Sequence, residues 1–193
     1  MAEQKKAVLM MHSDQEQGQL WQTALATQQL DVIWERIPLD LVQYLGKCDR
    51  QNLPDLLIID MGIKSPSSET LQSSSVCQWV AKQQVSVKVV LFNPRQERIK
   101  DIEHSWALRR GAADVLPRLS RENLMAEVAR VTALIGCSLI SQPLENIANS
   151  LAASSSSVQE SELTLSPNMI LTKDNLKPDQ KDTVMYRGVR IRR

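Results

Sequence analysis

Four short apolar runs, "AVLMM" (7–11), "DVIW" (31–34), "LLIID" (56–60) and "VKVVLF" (87–92), limit what this chain can fold into more than any other feature. Three of them are nearly continuous. A strand with one wet face alternates apolar with polar residues, so a continuous run points to a strand covered on both faces. A weaker fifth run is "DVL" (114–116). Between the runs, apolar residues fall at helical spacing. Residues 15–28 put Leu20, Trp21, Ala24 and Leu25 on one face. Pro38 opens a segment with Leu39, Val42 and Leu45 three apart, and residues 67–83 carry Leu71, Val76, Trp79 and Val80. Asn93–Pro94 reads as cap and first turn of a helix carrying Ile99, Ile102 and Trp106, stopped by Gly111. Ser120 reads as the cap of a last helix with Leu124, Val128, Val131 and Ile135 inward.

Alternating strands and helices of this kind predict an α/β domain over residues 5–136. It is a flavodoxin-like (βα)5 doubly wound parallel sheet with strand order 2-1-3-4-5 and right-handed crossovers. Functional groups of such sheets gather at the carboxyl ends of the strands, where His12, Ser13, Asp60, Asn93 and Arg118 fall. With 42% apolar residues the chain has enough material for a core. A formal net charge of +1 argues against a globally electrostatic nucleic-acid binder. The three cysteines, Cys48, Cys77 and Cys137, are far apart and show no metal-ligand spacing, which predicts reduced thiols. The apolar run after the first lysines is too short for a signal peptide or a membrane span, so a cytoplasmic location without a membrane span is expected.

"LPDLLIIDMG" (53–62) resembles the third strand of response regulator receiver domains, which ends in the phosphoacceptor aspartate. "ALRRGAADVLPRLSRENL" (107–124) is similar to that family's alanine, glycine-alanine-aspartate and lysine-proline sequence before the last helix. The resemblance covers residues 5–136 and puts Asp60 at the phosphoacceptor position. It also implies departures. The acidic pair after the first strand corresponds to His12 and Ser13, with Asp14 one position later. The hydroxyl residue after the fourth strand corresponds to Asn93, the lysine after the fifth to Arg118, the proline beside it to Leu119, and the aromatic switch residue to Val115. A carboxylate attacking a phosphoryl group needs neutralising charge, which the family supplies with magnesium and lysine. Imidazole and hydroxyl lack the anionic charge that holds magnesium. Arginine keeps a positive charge in a different shape.

The expectation is a degenerate receiver, a pseudo-receiver, that works as a two-component-type signalling adaptor through protein–protein contact. It is not an enzyme and has no cofactor or metal. Asp60 then persists as a structural acid paired with Arg118, and His12 as a solvated strand-end histidine. A transition-metal site of His12, Asp14 and Asp60 is the lesser reading of those side chains. One rival is a phosphorylated single-domain response regulator with Asp60 as acceptor, magnesium as cofactor and a histidine kinase as partner. Another is a nucleic-acid-associated regulator using the terminal arginines. No nucleophile–base pair or phosphate loop is visible, and the first turn, "MHSDQEQGQ", has Gly18 alone where a dinucleotide fold is glycine-rich.

After Gly136 the composition changes. Residues 137–182 read as a short helix, with Leu144, Ile147 and Leu151 on one side, and a serine-rich linker. Residues 183–193 read as strand-forming with a possible bulge, and "YRGV" resembles the opening of a small module of cyanobacterial proteins. The last eight residues hold four arginines and no acid. Tyr186, Arg187, Val189, Arg190, Ile191, Arg192 and Arg193 are the candidate partner-binding residues, for a protein with an acidic surface accepting them by strand addition.

Overall fold

A computed structural model of the chain describes residues 5–35, 39–156, 185–186 and 189–190. Five strands, β1 (Ala7–Met11), β2 (Asp31–Glu35), β3 (Leu56–Asp60), β4 (Lys88–Asn93) and β5 (Asp114–Pro117), form one parallel sheet in the order β2-β1-β3-β4-β5. The flavodoxin-like arrangement expected from the apolar runs is the one present. The central strand β3 is buried at every residue, as its unbroken run requires, whereas the edge strand β2 is only partly covered.

Successive side chains of a strand point to opposite faces, and this divides the core in two. Val8, Met10, Ile58, Val90, Phe92 and Leu116 face one layer. Its helices are α1 (Gln15–Ala26) and α5 (Leu124–Leu134), which contribute Trp21, Leu25, Val128 and Val131. Leu9, Met11, Leu57, Ile59, Leu91 and Val115 face the other. There α2 (Leu41–Lys47), α3 (Gln72–Gln83) and α4 (Asp101–Arg109) bring Leu41, Leu45, Val76 and Ala107.

Several helices start later than the sequence suggests; at α2 a side chain nearer the helix captures a free N–H group, whereas α4 and α5 begin without a side-chain cap. Asp40 caps α2 by accepting from Gln43 N at 3.1 Å; Pro38 lies outside the described residues. Asn93 ends β4, and its Oδ1 accepts from Arg95 N at 3.1 Å, closing a local turn instead of capping α4. Asn123 holds the cap position of α5, with its Oδ1 accepting from Ser120 N at 2.7 Å. The rotation of α4 also differs. Ala107 faces the sheet, while Ile102 is 76% and Trp106 36% exposed, so Trp106 is not a core anchor. Glu103 and His104 on the inner side bond Gln96 and Asp114 and hold the helix in that rotation.

The core does not stop at Gly136. A sixth helix, α6 (Ser141–Ser156), places Leu144 in full burial within the first layer, with Ile147 and Ala148 packed beside it. The helical part of 137–182 is thus built onto the domain, and residues 157–182 lie outside the described residues. The second compact unit spans Glu160–Arg193. In it β6 (Met185–Tyr186) pairs antiparallel with β7 (Val189–Arg190), Tyr186 opposite Val189.

Candidate functional site

Four strands deliver the candidate residues to one end of the sheet. Ser13, Asp14, Asp60, Asn93 and Arg118 line a single cleft of about 870 Å³, together with Gly62 and Arg95. His12 does not line it. The residue follows β1 directly, and its ring turns into the protein, 2% exposed, with its centroid 4.4 Å from that of Phe92. The expectation of a solvated histidine is therefore wrong. Trp34 closes this corner from β2, donating from Nε1 to His12 O at 3.2 Å. Its ring lies so close to α1 that a Cβ on Gly18 would stand 2.1 Å from Trp34 Cζ2. Gly18 is where the helix admits that ring.

The protonation of His12 follows from its partners. Nδ1 accepts the Asp14 backbone N–H at 3.0 Å, so the proton of the neutral ring sits on Nε2, a buried atom without a hydrogen-bond partner. Burial pushes the ring below the usual histidine value, outweighing the attraction of Asp60 and Asp14. Asp60 Oδ2 stands 3.7 Å from Nδ1, beyond hydrogen-bond length. At neutral pH the ring is a neutral imidazole.

Asp60 itself is 6% exposed. Its Oδ1 accepts the Gly62 N–H at 2.8 Å, and its Oδ2 accepts a longer bond from Ser13 Oγ at 3.3 Å. Asp14 uses its carboxylate to cap α1, accepting from Gln17 N at 3.1 Å. Arg118 does not pair with Asp60. It donates from Nη2 to Glu16 Oε2 at 2.9 Å. Two backbone attachments set that direction. Arg118 N donates to Gln96 O at 2.7 Å. The buried amide of Gln17 grips Leu119 from both sides, accepting from its N–H at 2.8 Å and donating to its carbonyl at 3.1 Å. A proline at 119, as the resemblance would place there, has no N–H for that grip. Val115 is fully buried in the second core layer.

Magnesium, which the receiver fold implies, asks for several hard oxygen donors. These residues do not fit it. Of the candidate residues Asp60 alone offers a carboxylate free of a cap; Asp14 is held by its helix, His12 faces inward and Ser13 points its hydroxyl at Asp60. The transition-metal reading fails too: among the described residues no group of three His, Cys, Asp or Glu side chains could hold a metal ion.

Sequence reasoning missed Glu16, Gln17 and Arg95. Arg95 had a local signal, standing two residues after Asn93. The contacts of Glu16 and Gln17 cross about a hundred residues and left none. Of the tail candidates, Tyr186, Val189 and Arg190 fall in β6 and β7, and Arg187, Ile191, Arg192 and Arg193 lie outside the described residues. Among the described residues no helix is long and apolar enough to cross a membrane.

No family model matches the chain. No curated protein matches it either. Solved structures do. A response regulator from Thermotoga maritima superposes with a TM-score of 0.52 at 16% identity, over 69% of this chain and 99% of that one. A Francisella response regulator receiver domain gives 0.50 at 18%, over 68% and 98%. An atypical orphan response regulator described as having a phosphorylation-independent regulatory mechanism gives 0.50 at 18%, over 67% and 95%. At such identities the likeness is one of fold, and it agrees with the strand order. The first unit of this chain has the receiver fold of response regulators.

Proposed function

We propose that this chain is a two-component-type regulatory adaptor, a pseudo-receiver that acts by protein–protein contact without phosphotransfer at Asp60 and without catalysis. The observation that carries the reading is the state of His12. Where a magnesium-binding carboxylate would stand there is a buried imidazole, held neutral and hydrogen-bonded to its own turn. A phosphoryl group approaching Asp60 would meet that carboxylate with no metal beside it. Arg118, just past β5, is already engaged by Glu16, which leaves Arg95 as the other guanidinium lining the cleft. Without a metal, the repulsion that phosphoryl transfer must overcome is opposed by these arginines alone. The phosphorylation-independent orphan regulator supports the reading by analogy of fold. The partner in this reading is a protein, and the basic segment 186–193 adds a docking strand for one with an exposed sheet edge and an acidic rim.

The test is direct. Incubated with acetyl phosphate and magnesium, the protein should show no stoichiometric acyl phosphate on Asp60 by intact mass. The double variant His12→Asp, Ser13→Asp should gain magnesium affinity, read by titration calorimetry. Full labelling of the unaltered protein would overturn the proposal.

A further inference from the structure

Asp60 is short of donors. A carboxylate has lone pairs for about four hydrogen bonds, and burying one is costly unless they are used. Asp60 is more than nine-tenths buried, yet it accepts one bond of ordinary length, from the Gly62 N–H, and one long bond from the Ser13 hydroxyl at 3.3 Å. His12 brings no proton to it, because Nδ1 is spent on the Asp14 N–H. Asp60 lines the cleft of about 870 Å³, so a donor can reach it from there. The same cleft carries the opposite charge. Arg95 is exposed; its backbone N–H closes the turn on Asn93, and among the described residues its guanidinium has no hydrogen bond or ion pair. Arg118 also lines the cleft, and spends one of its five N–H donors on Glu16.

We propose that the cleft binds a small zwitterion, a free α-amino acid, with its ammonium on Asp60 and its carboxylate on Arg95 and Arg118. An anion alone would satisfy the arginines and set its charge against the Asp60 oxygen. A cation alone would satisfy Asp60 and meet two guanidinium groups. One molecule with both signs answers both. Magnesium asks for more hard anionic oxygens than the cleft supplies, but an ammonium does not. Its three N–H groups take one carboxylate oxygen together with neutral oxygens. Ser13 Oγ, a donor to Asp60, and Asn93 Oδ1, an acceptor from Arg95 N, each keep a lone pair and line the same cleft. At the other end the flat fork of a guanidinium matches the two oxygens of a carboxylate. Met61 and Pro94 supply the apolar part of the lining, so the side chain that fits is an uncharged, apolar one. The volume lies within the ~300–1,000 Å³ of small-molecule sites.

The inference rests on the proposed function only in leaving Asp60 unmodified; it gives the adaptor a signal of its own, occupancy of the cleft. The full chain is titrated with the common α-amino acids one at a time, followed by the amide NMR shifts of Gly62 and Arg95. At least one amino acid with an apolar side chain should bind with a dissociation constant under about 1 mM. Its methyl ester lacks the anionic end and its N-acetyl derivative lacks the ammonium, and each should bind at least about tenfold more weakly. Asp60→Asn keeps an acceptor for the Gly62 N–H and should weaken the amino acid about tenfold without weakening the N-acetyl derivative. Arg95→Gln, at an exposed site, should weaken the amino acid without weakening the methyl ester. Loss of fold would not produce that crossed pattern. No binding by any amino acid, a derivative that binds as tightly as its parent, or an amino acid indifferent to Asp60→Asn would overturn the inference. So would inorganic phosphate binding alone as tightly as any amino acid. Labelling of Asp60 by acetyl phosphate in a protein that also binds an amino acid would overturn the proposed function and leave this inference standing. An unlabelled protein that binds none would do the reverse.

Discussion

A proton arriving at His12 finds no comfortable place. Nδ1 already accepts the Asp14 N–H, and Nε2 is buried without a hydrogen-bond partner. Asp60, 3.7 Å away, offers attraction but less than burial takes. The folded ring is therefore harder to protonate than the ring of the unfolded chain, which titrates near the ordinary value of 6.5. Below that value the unfolded chain takes up a proton that the folded one refuses, so stability falls as pH falls. The slope contributed by this one group approaches about 1.4 kcal/mol per pH unit at most. Glu127, whose carboxyl burial raises, works in the opposite sense, so the comparison is with a variant and not with the raw curve. His12→Asn keeps an acceptor for Asp14 N–H and should flatten the loss of stability between pH 7 and pH 5, measured by urea unfolding (both pH limits about the histidine range). Equal slopes in the two proteins would show that the folded ring takes up its proton as readily as the unfolded one. None of this was readable from the residues alone: "VLMMH" shows where the strand ends but not which way the next side chain turns.

Elements were legible in the sequence to the degree that their burial is periodic. The strands were, because a run such as "LLIID" has no other use in a chain of this size, and so was the inner face of α5. Helix starts were less so, since Asp40 and Asn93 both look like caps and one of them closes a turn instead. The rotation of α4 was misread for a related reason. Its polar residues Glu103 and His104 are the ones turned inward, paired with groups on distant elements, and that pairing leaves the tryptophan outside. Least legible were three buried glutamines that tie elements together. Gln17 grips Leu119, Gln28 accepts from Ile140 N at 2.7 Å and donates to Ile140 O at 3.1 Å, and Gln72 accepts from Leu41 N at 3.0 Å and donates to Leu39 O. Gln17→Leu should remove both partners of a buried peptide and cost about 2 kcal/mol. The readout is hydrogen exchange at the Leu119 amide, which should quicken well beyond the change in global stability. An amide as protected as before would mean the loop is held by something else.

On the scale of the molecule, the chain divides into a domain extended by α6 and a second unit, Glu160–Arg193, whose sequence ends in a basic segment. The boundary read at 136 followed the last β–α unit; the apolar side formed by Leu144, Ile147 and Leu151 marked a helix but not the core layer that buries Leu144. A chain ending at residue 156 should keep the melting temperature of the full protein, and Leu144→Ala within it should cost about 2–4 kcal/mol. The same truncated chain should lose the partners that capture with the full chain recovers through residues 186–193; identical partner sets would remove the tail from the proposed function. The glutamine grips bear on how such a molecule varies. Each reads a backbone N–H and carbonyl and no side chain of the loop it holds. The glutamine asks of residue 140 only that it not be proline, the one residue without an N–H to give, and at 119 it adds that demand to the burial of Leu119 in the first core layer. The residue at 140, just before α6, can therefore drift in identity while keeping its position, and a change at the glutamine itself is the one that moves it.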